Sequence, residues 1–497
     1  MTADITREML ISHDTHETRV AILEDRRLVE LYVERPKRSV VGNVYVGVVR
    51  DVLPGMQAAF VDIGLEKNAF LYVHEIVGPV ETQADVKRDI QLLVKPGQRL
   101  MVQVLKDPMG TKGARVTMDI TLPGRYVVLM PFSSVVGISR KIPDEERERL
   151  SQIVEPLLPA GLGAIVRTAA ATGTPEDLEQ DIEFLLRLWK RVESQAREGL
   201  APELIYAEMD LALRLVRDAF NEDYRALVVD DKRVYEKVVS LLKRTAPKLA
   251  KRVHLHREHE VLFDAYHLQG DIDIALQRTV PLPSGGYIAI DVTEALTAID
   301  VNTGSFVGRR SLEDTVVRTN LEAAVEVVRQ LRLRDIGGII VIDFIDMEDA
   351  ANRQRVVDCF TEAMQSDRTK TRVSEISRLG LLELTRKNVT DGLYGALTEP
   401  CPMCHGEGRV LSEATRRIMV ERRLREILLA GRSPAYLVGL HPETYALVNA
   451  PGRNALAMLR AESGKQLNVI VDPDAGPVEV RVLMEGKTGS VGLDTTS

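Results

Sequence analysis

Aromatic residues are scarce in this chain, 4% of 497 residues with a single tryptophan. Cysteine is scarcer still, with three in all. So few thiols exclude a disulfide scaffold and fit a reducing, cytoplasmic setting. No apolar run approaches the roughly 20 residues that a membrane span needs. Charges interrupt the first residues, "MTADITREMLISHD", which reads against a signal peptide. An excess of positive charge is also missing: 65 basic against 73 acidic residues leave −8. Any nucleic acid must therefore be held by local basic patches and not by a global field. Repeats at solenoid periods and low-complexity tracts are absent. What remains is an ordinary globular composition, 45% hydrophobic, long enough for several domains.

Residues 18–33 read as two short strands around a turn. Residues 40–122 are rich in short alternating strands, with Pro54–Gly55 marking a turn. Five such strands in about eighty residues suit a small barrel of the OB type. In "GTPEDLEQDIEFLLRLWKRVESQARE" Thr174 is placed to cap a helix, Pro175 fits its first turn and Asp177 closes a capping box. Leu178, Ile182, Leu185, Trp189 and Val192 make its apolar face. Residues 203–275 read as mainly helical, with "RALVVDD" as an embedded strand.

The stretch "GGYIAIDVTEALTAIDVNTG" reads as a hairpin. Ser311 and Asp314 then open a long amphipathic helix through about Arg334, and "IIVIDF" follows as a buried strand. Strand, crossover helix and strand make the two strands parallel. Asp300 and Asp343 then both fall at carboxyl ends, where ligands bind in such sheets, with Asn302 on the same face as Asp300. Two close carboxylates repel unless a proton or cation sits between them. An all-oxygen donor set favours Mg²⁺ or Mn²⁺ over zinc, as in phosphoryl chemistry. Equally, an Asp closing a strand is often only a turn or helix cap. Asp346 and Glu294 are acidic neighbours in sequence that read as third ligands or as solvated surface.

Phe60 and Phe70 fall in middle strands of the expected barrel, either stacking unpaired bases or filling its core, with Lys106, Lys112 and Arg115 flanking them. Cys401 and Cys404 have the spacing of a zinc knuckle, with Gly406 and Gly408 for the tight turn. A tetrahedral site needs four ligands, and Cys359 lies far upstream in an apparent helix. His405 is adjacent to Cys404, and neighbours seldom both reach one metal. The economical reading is one Zn²⁺ shared by two chains, with a redox dithiol as its rival.

Together "VLPGMQAAFVDIG", "GTKGARVTMDITLPGRY", "GLGAIVRTAA", "SGGYIAIDVTEALTAIDVNTG", "NLEAAVEVVRQLRLRDIGGIIVIDFIDM" and "CPMCHGEG" closely resemble the ribonuclease E/G family of bacterial endoribonucleases, over roughly residues 15–412. The resemblance implies a multidomain α/β fold. An OB-fold barrel (39–122) is inserted in an RNase H-like subdomain (1–38 and 211–278). A 5′-phosphate sensor region (123–210), a DNase I-like catalytic subdomain (279–398), a zinc-link (399–412) and a small C-terminal α/β module (413–497) follow. It implies Mg²⁺ on Asp300 and Asp343, and Asn302 orienting the scissile phosphate. RNA is held by Phe60, Phe70 and Lys112, and the 5′-monophosphate is read by Arg167, Thr168 and the backbone near Val128. At the remaining sensor position stands Lys370, a point charge where the family pattern has the planar fork of arginine. Cys401 and Cys404 match a zinc-link that joins two protomers into a homodimer, or a homotetramer if dimers pair.

The implied substrates are single-stranded, AU-rich RNAs, such as ribosomal RNA precursors and messenger RNAs, cut to 5′-phosphate and 3′-hydroxyl ends. The long disordered scaffold of some members is not in this chain, so a degradosome built on it is not expected. The rival readings are a zinc-dimerised RNA clamp without catalysis and a metal-dependent DNA nuclease.

Overall fold

The computed structural model describes residues 5–35, 39–77, 89–108, 112–304, 312–374, 377, 380–387, 392–404, 406–449, 455–489 and 491. Ser311 and His405, both singled out above, lie outside them. The chain divides into two compact units, Met1–Leu397 and Thr398–Ser497.

The first unit opens on strand Arg7–His13, which the charge pattern of the N-terminus concealed. Its centre, Met9, Leu10 and Ile11, is fully buried. It lies in the middle of a five-stranded sheet between Thr18–Glu24, antiparallel, and Tyr224–Val229, parallel. Arg27–Glu34 and Val253–Leu255 form the edges. Asp25 and Arg26, both at positive φ, make the tight turn joining Thr18–Glu24 to Arg27–Glu34.

Five strands then close a barrel in the order Val44–Leu53, Ala58–Asp62, Ala69–Tyr72, Arg115–Thr117, Arg99–Lys106, the last pairing back onto the first. Strand Glu203–Tyr206 adds outside the ring. Inward-pointing Val49, Ala59, Val61, Leu71, Val102 and Val116 fill it. Gly113 sits where the chain re-enters the ring. A Cβ there would lie 1.9 Å from the carbonyl oxygen of Asn68, so the approach is open to glycine alone.

A four-stranded sheet follows, packed by helices Asp144–Val154 and Pro175–Glu198. The second helix starts as its sequence dictates. Thr174 accepts from the amide of Asp177, whose carboxylate accepts from the amide of Thr174. All five residues of the expected apolar face are buried.

The last sheet of the unit has six strands, in the order Thr279–Pro281, Tyr287–Val292, Leu296–Asn302, Gly338–Asp343, Leu381–Arg386, Thr371–Val373. Only Leu296–Asn302 and Gly338–Asp343 are parallel, joined through helix Leu312–Leu333. That helix and Ala350–Met364 cover one face, where Ile288, Ile290, Ile299, Val301, Ile340 and Ile342 form the core. The other face is open. Gly338–Asp343 was expected to be buried on both sides, but Ile339 is 52% exposed. The uninterrupted apolar run concealed a one-sided strand.

The helix departs from expectation in the opposite sense. An amphipathic helix ordinarily turns its charges to solvent, yet Glu326, Arg329 and Arg332 are buried. Arg332 pairs with Glu24 and Glu30 at 3.0 Å each. Arg329 pairs with Glu326 and Asp271 and donates to the carbonyl of Leu28. Burial pushes the Glu30 carboxyl up, but Arg368, then Arg332 and the Tyr32 hydroxyl, together pull it below its usual value. Buried charge survives here because each group has a partner.

The second unit holds helix Glu413–Ala430, capped by Ser412, and a three-stranded sheet with Ala435–Leu440 between Gln466–Val471 and Val480–Gly486. The central strand is buried along its whole length. Among the described residues no helix is long and apolar enough to cross a membrane.

Candidate functional site

Asp300 and Asp343 are register partners across the parallel pair, at the carboxyl ends of adjacent strands. Neighbouring strands lie about 4.8 Å apart, and side chains at paired positions share a face. Both residues belong to the open face and are exposed. Asn302, two residues on, donates from Nδ2 to Asp300 Oδ2 at 2.8 Å. Partial burial, then the charge of Asp300, then that of Asp346, raise the Asp343 carboxyl above its usual value. Asp346 is therefore near enough to be felt. Glu294 is not: it sits in the hairpin turn before Leu296–Asn302, six residues and roughly 20 Å of strand from Asp300. It drops out as a third ligand.

Sequence reading missed what fixes the acid-bearing loop. Asn320 is fully buried in the crossover helix. Its Nδ2 donates to the carbonyl of Ile345 at 2.8 Å, and its Oδ1 accepts from the Ile345 amide at 3.0 Å. The backbone between Asp343 and Asp346 is thus held from both sides. A polar residue beside the apolar "LEAAVEVV" was the available signal.

On the barrel, Phe60 and Phe70 alternate with the core and point outward. Their neighbours Ala59, Val61, Ala69 and Leu71 are buried, whereas both rings are half-buried and outside the core cluster. This settles their packing against the core-filling reading. They face each other across paired strands, ring centroids 5.5 Å apart and edge-to-face. One register row runs around all five strands: Asp51, Phe60, Phe70, Arg115, Lys106. Two rings and two cations therefore stand side by side. Lys112 is exposed, three residues before Arg115.

Arg167 caps the turn after strand Gly163–Val166. Its Nη1 donates to the carbonyl of Gly124 at 2.8 Å and to Asp218 at 2.6 Å. Asp218 is also bound by Arg217. Burial raises the Asp218 carboxyl, but Arg217, then Arg167, outweigh it and leave it below its usual value. Thr168 hydrogen-bonds to the Ser139 hydroxyl at 2.9 Å. Val128 lies in strand Val127–Met130, whose approach is set by Asp181. That buried carboxylate accepts from the amides of Arg125, Tyr126 and Val127, although burial still leaves its pKa raised.

Lys370 is exposed in a basic pocket of about 380 Å³ with Arg372 and Lys387, at the far end of strand Gly338–Asp343 from its acid. No contact joins Lys370 to Arg167 among the described residues. Their segments meet indirectly: Lys141, two residues from Ser139, donates to the carbonyl of Arg368, two residues from Lys370.

In the second unit, Cys401 and Cys404 are free thiols. Backbone hydrogen bonds from Cys404 and Met403, with one from the Cys404 side chain, hold the Cys401 thiol below its usual value. The Gly408 amide donates to Cys404 Sγ at 3.3 Å. Gly406 and Gly408, both at positive φ, turn the chain around the sulfurs. Cys359 is half-buried in helix Ala350–Met364, where burial and then Glu362 raise its thiol. Among the described residues no cluster of three His, Cys, Asp or Glu is placed to hold a metal. The two pairs, Asp300–Asp343 and Cys401–Cys404, each offer two ligands.

Residues 121–389 match the model of the ribonuclease E/G family. Ribonuclease G of Salmonella typhimurium is 42% identical over 477 residues, covering 94% of this chain and 98% of that protein. Ribonuclease G of Haemophilus influenzae is 41% identical over 93% of this chain and 96% of its own length. Ribonuclease E of the same organism is 38% identical over 84% of this chain, but only 46% of its own. With the matched span holding both acids and near full-length identity above 40%, the chain belongs to the ribonuclease E/G family.

Proposed function

We propose that the protein is an endoribonuclease that hydrolyses single-stranded, AU-rich RNA to 5′-phosphate and 3′-hydroxyl ends, in ribosomal RNA processing and messenger RNA decay. The observation that carries this reading is the register of Asp300 with Asp343 on one open sheet edge, in a chain of this family. The strand order of the first sheet supports an RNase H-like subdomain, and the six-stranded sheet takes the DNase I-like role.

The acids fit a magnesium ion. They are oxygen donors, they are exposed, and their mutual repulsion is relieved by a cation. Two protein ligands suit Mg²⁺, which keeps water and phosphate in its shell. When bound there, Mg²⁺ supplies charge neutralisation and lowers the pKa of water. Asp300 and Asp343 hold the ion, and Asn302 both steadies Asp300 and offers an amide to the scissile phosphate. Asn320 keeps the Asp343 loop in place. Phe60 and Phe70 stack bases, and Lys112 meets the backbone.

Arg167 and Thr168, with the backbone near Val128, take the 5′-monophosphate, and Lys370 adds a point charge. Gly124 and Asp218 take only Nη1 of Arg167, which leaves Nε and Nη2 as a fork for the phosphate. The thiols fit half of a tetrahedral zinc site, completed by a second copy of the chain.

The test is a 5′-monophosphorylated single-stranded oligoribonucleotide incubated with Asp300→Asn. Cleavage is expected to disappear while RNA binding stays within a few-fold. Full cleavage by that variant, or cleavage unchanged in EDTA, overturns the assignment. Binding with no cleavage even in the unaltered protein favours the clamp, and cutting of DNA alongside RNA widens the substrate class.

A further inference from the structure

The outward aromatic pair on the barrel does not end at Phe70. Tyr72 is two residues on, hence on the same face of strand Ala69–Tyr72. Its ring lies 4.5 Å from Phe70, edge-to-face at 70°. His74 then stacks on Tyr72, centroids 5.4 Å apart and planes within 18°. Four rings, Phe60, Phe70, Tyr72 and His74, form a continuous ladder in a chain with very few aromatics. The His74 side chain is 65% exposed. Arg115 sits with its guanidinium carbon 4.9 Å from the Tyr72 ring centre and is held there by Glu75 at 2.7 Å.

Resting on the reading of this barrel as an RNA-binding surface, we infer that Tyr72 and His74 form a second base-stacking step, which takes the bases beyond those on Phe60 and Phe70. Arg115 meets the intervening phosphate and screens it from Glu75. The geometry is that of a single-strand track. Successive planar groups lie beside a cation, and stacking on a ring face accepts any base. Of the four rings only His74 is exposed; the other three are half-buried. The stacked Tyr–His pair continues as a pile of parallel planes to which a base adds as the next layer, whereas the edge-to-face Phe60–Phe70 pair offers a corner. The track therefore turns from running across the strands to running along Ala69–Tyr72, and it lengthens the RNA segment that contributes to binding.

The test compares full-length Tyr72→Ala, His74→Ala and Phe60→Ala on AU-rich, 5′-monophosphorylated oligoribonucleotides of increasing length. Truncating one stacked ring weakens binding roughly 5- to 100-fold. On long substrates Tyr72→Ala and His74→Ala are expected to raise KM by at least about 5-fold with kcat within twofold. The effect should vanish on substrates too short to pass Phe70. Tyr72→Phe and His74→Phe, which keep a ring, should behave as the unaltered protein. KM unchanged in both alanine variants while Phe60→Ala is impaired sinks the inference and leaves the proposed function standing. Tyr72→Phe as damaging as Tyr72→Ala also sinks it, because a hydroxyl contact would then be responsible. If Phe60→Ala is harmless too, the barrel reading itself fails. His74 is exposed, so its truncation leaves folding intact, and a thermal melt of Tyr72→Ala separates lost binding from lost structure.

Discussion

Two charge clusters in the first unit make opposite use of the same chemistry. Around Glu30, buried carboxylates and guanidiniums alternate. Glu24, Glu30 and Arg332 interlock, and Arg368 closes onto Glu30. Around Asp300 and Asp343, two acids of one sign share an open face, with Asp346 near enough for its charge to be felt and one amide bonded to Asp300. The first cluster is satisfied and holds strand Arg27–Glu34 to the crossover helix. The second is left in repulsion, and it lies where a ligand can enter. Satisfied charge marks frame, and unsatisfied charge marks function.

The largest effect is expected at the acids. Asp343→Asn should lower cleavage by on the order of 10²–10³-fold or more, as for loss of one electrostatic contact to a transition state. The double variant with Asp300→Asn should be hardly worse, because residues acting as one unit are not additive. Additive losses in single-turnover rates would separate the two acids and break the contrast.

Next comes Glu30→Gln, which leaves Arg332 and Arg368 short of a partner. Breaking a buried pair costs about 3–5 kcal/mol, to be read from denaturant midpoints. The sign of the pH dependence is fixed by the depressed carboxyl of Glu30. Its contribution is present in full above the ordinary glutamate range and is lost as pH falls through the folded value. The gap between variant and unaltered protein should therefore close in acid. A gap that widens there would mean Glu30 is not held as a carboxylate.

The thiol pair Cys401 and Cys404 extends the comparison to the second unit. Cys401→Ser should lower both bound zinc and the dimer fraction in sedimentation, and a dimer that persists places the interface elsewhere. The smallest effect is expected at Arg278, whose pair with Asp291 is largely exposed. Arg278→Gln should leave the melting temperature unchanged within error. A measurable drop would show that exposed pairs also carry the frame.

The acid pair was legible because each strand carries an Asp at or near its carboxyl end and a crossover forces the two parallel. The capping box at Thr174 was legible because caps are local signals, whereas sequence placed Phe60 and Phe70 on barrel strands without deciding between core and surface, which depends on how the barrel closes. The buried ion network was not legible. In sequence, Glu326, Arg329 and Arg332 have the spacing of a solvated helix face, and only strand Arg27–Glu34, some three hundred residues away, reveals otherwise. Ile339 failed in reverse, since an apolar run carries no mark of which side is wet. Asn320 and Asp181 escaped because their partners are backbone amides and carbonyls, which no residue pattern names.

The tight passage at Gly113 has a genetic corollary. Any amino-acid substitution there forces a methyl or more into the space of a carbonyl oxygen. The codon before it encodes exposed Lys112, where nearly any residue would still let the barrel close. In a saturation library scored for folded protein, adjacent columns should thus be almost empty and almost full, and only a second screen for RNA turnover should thin the full one.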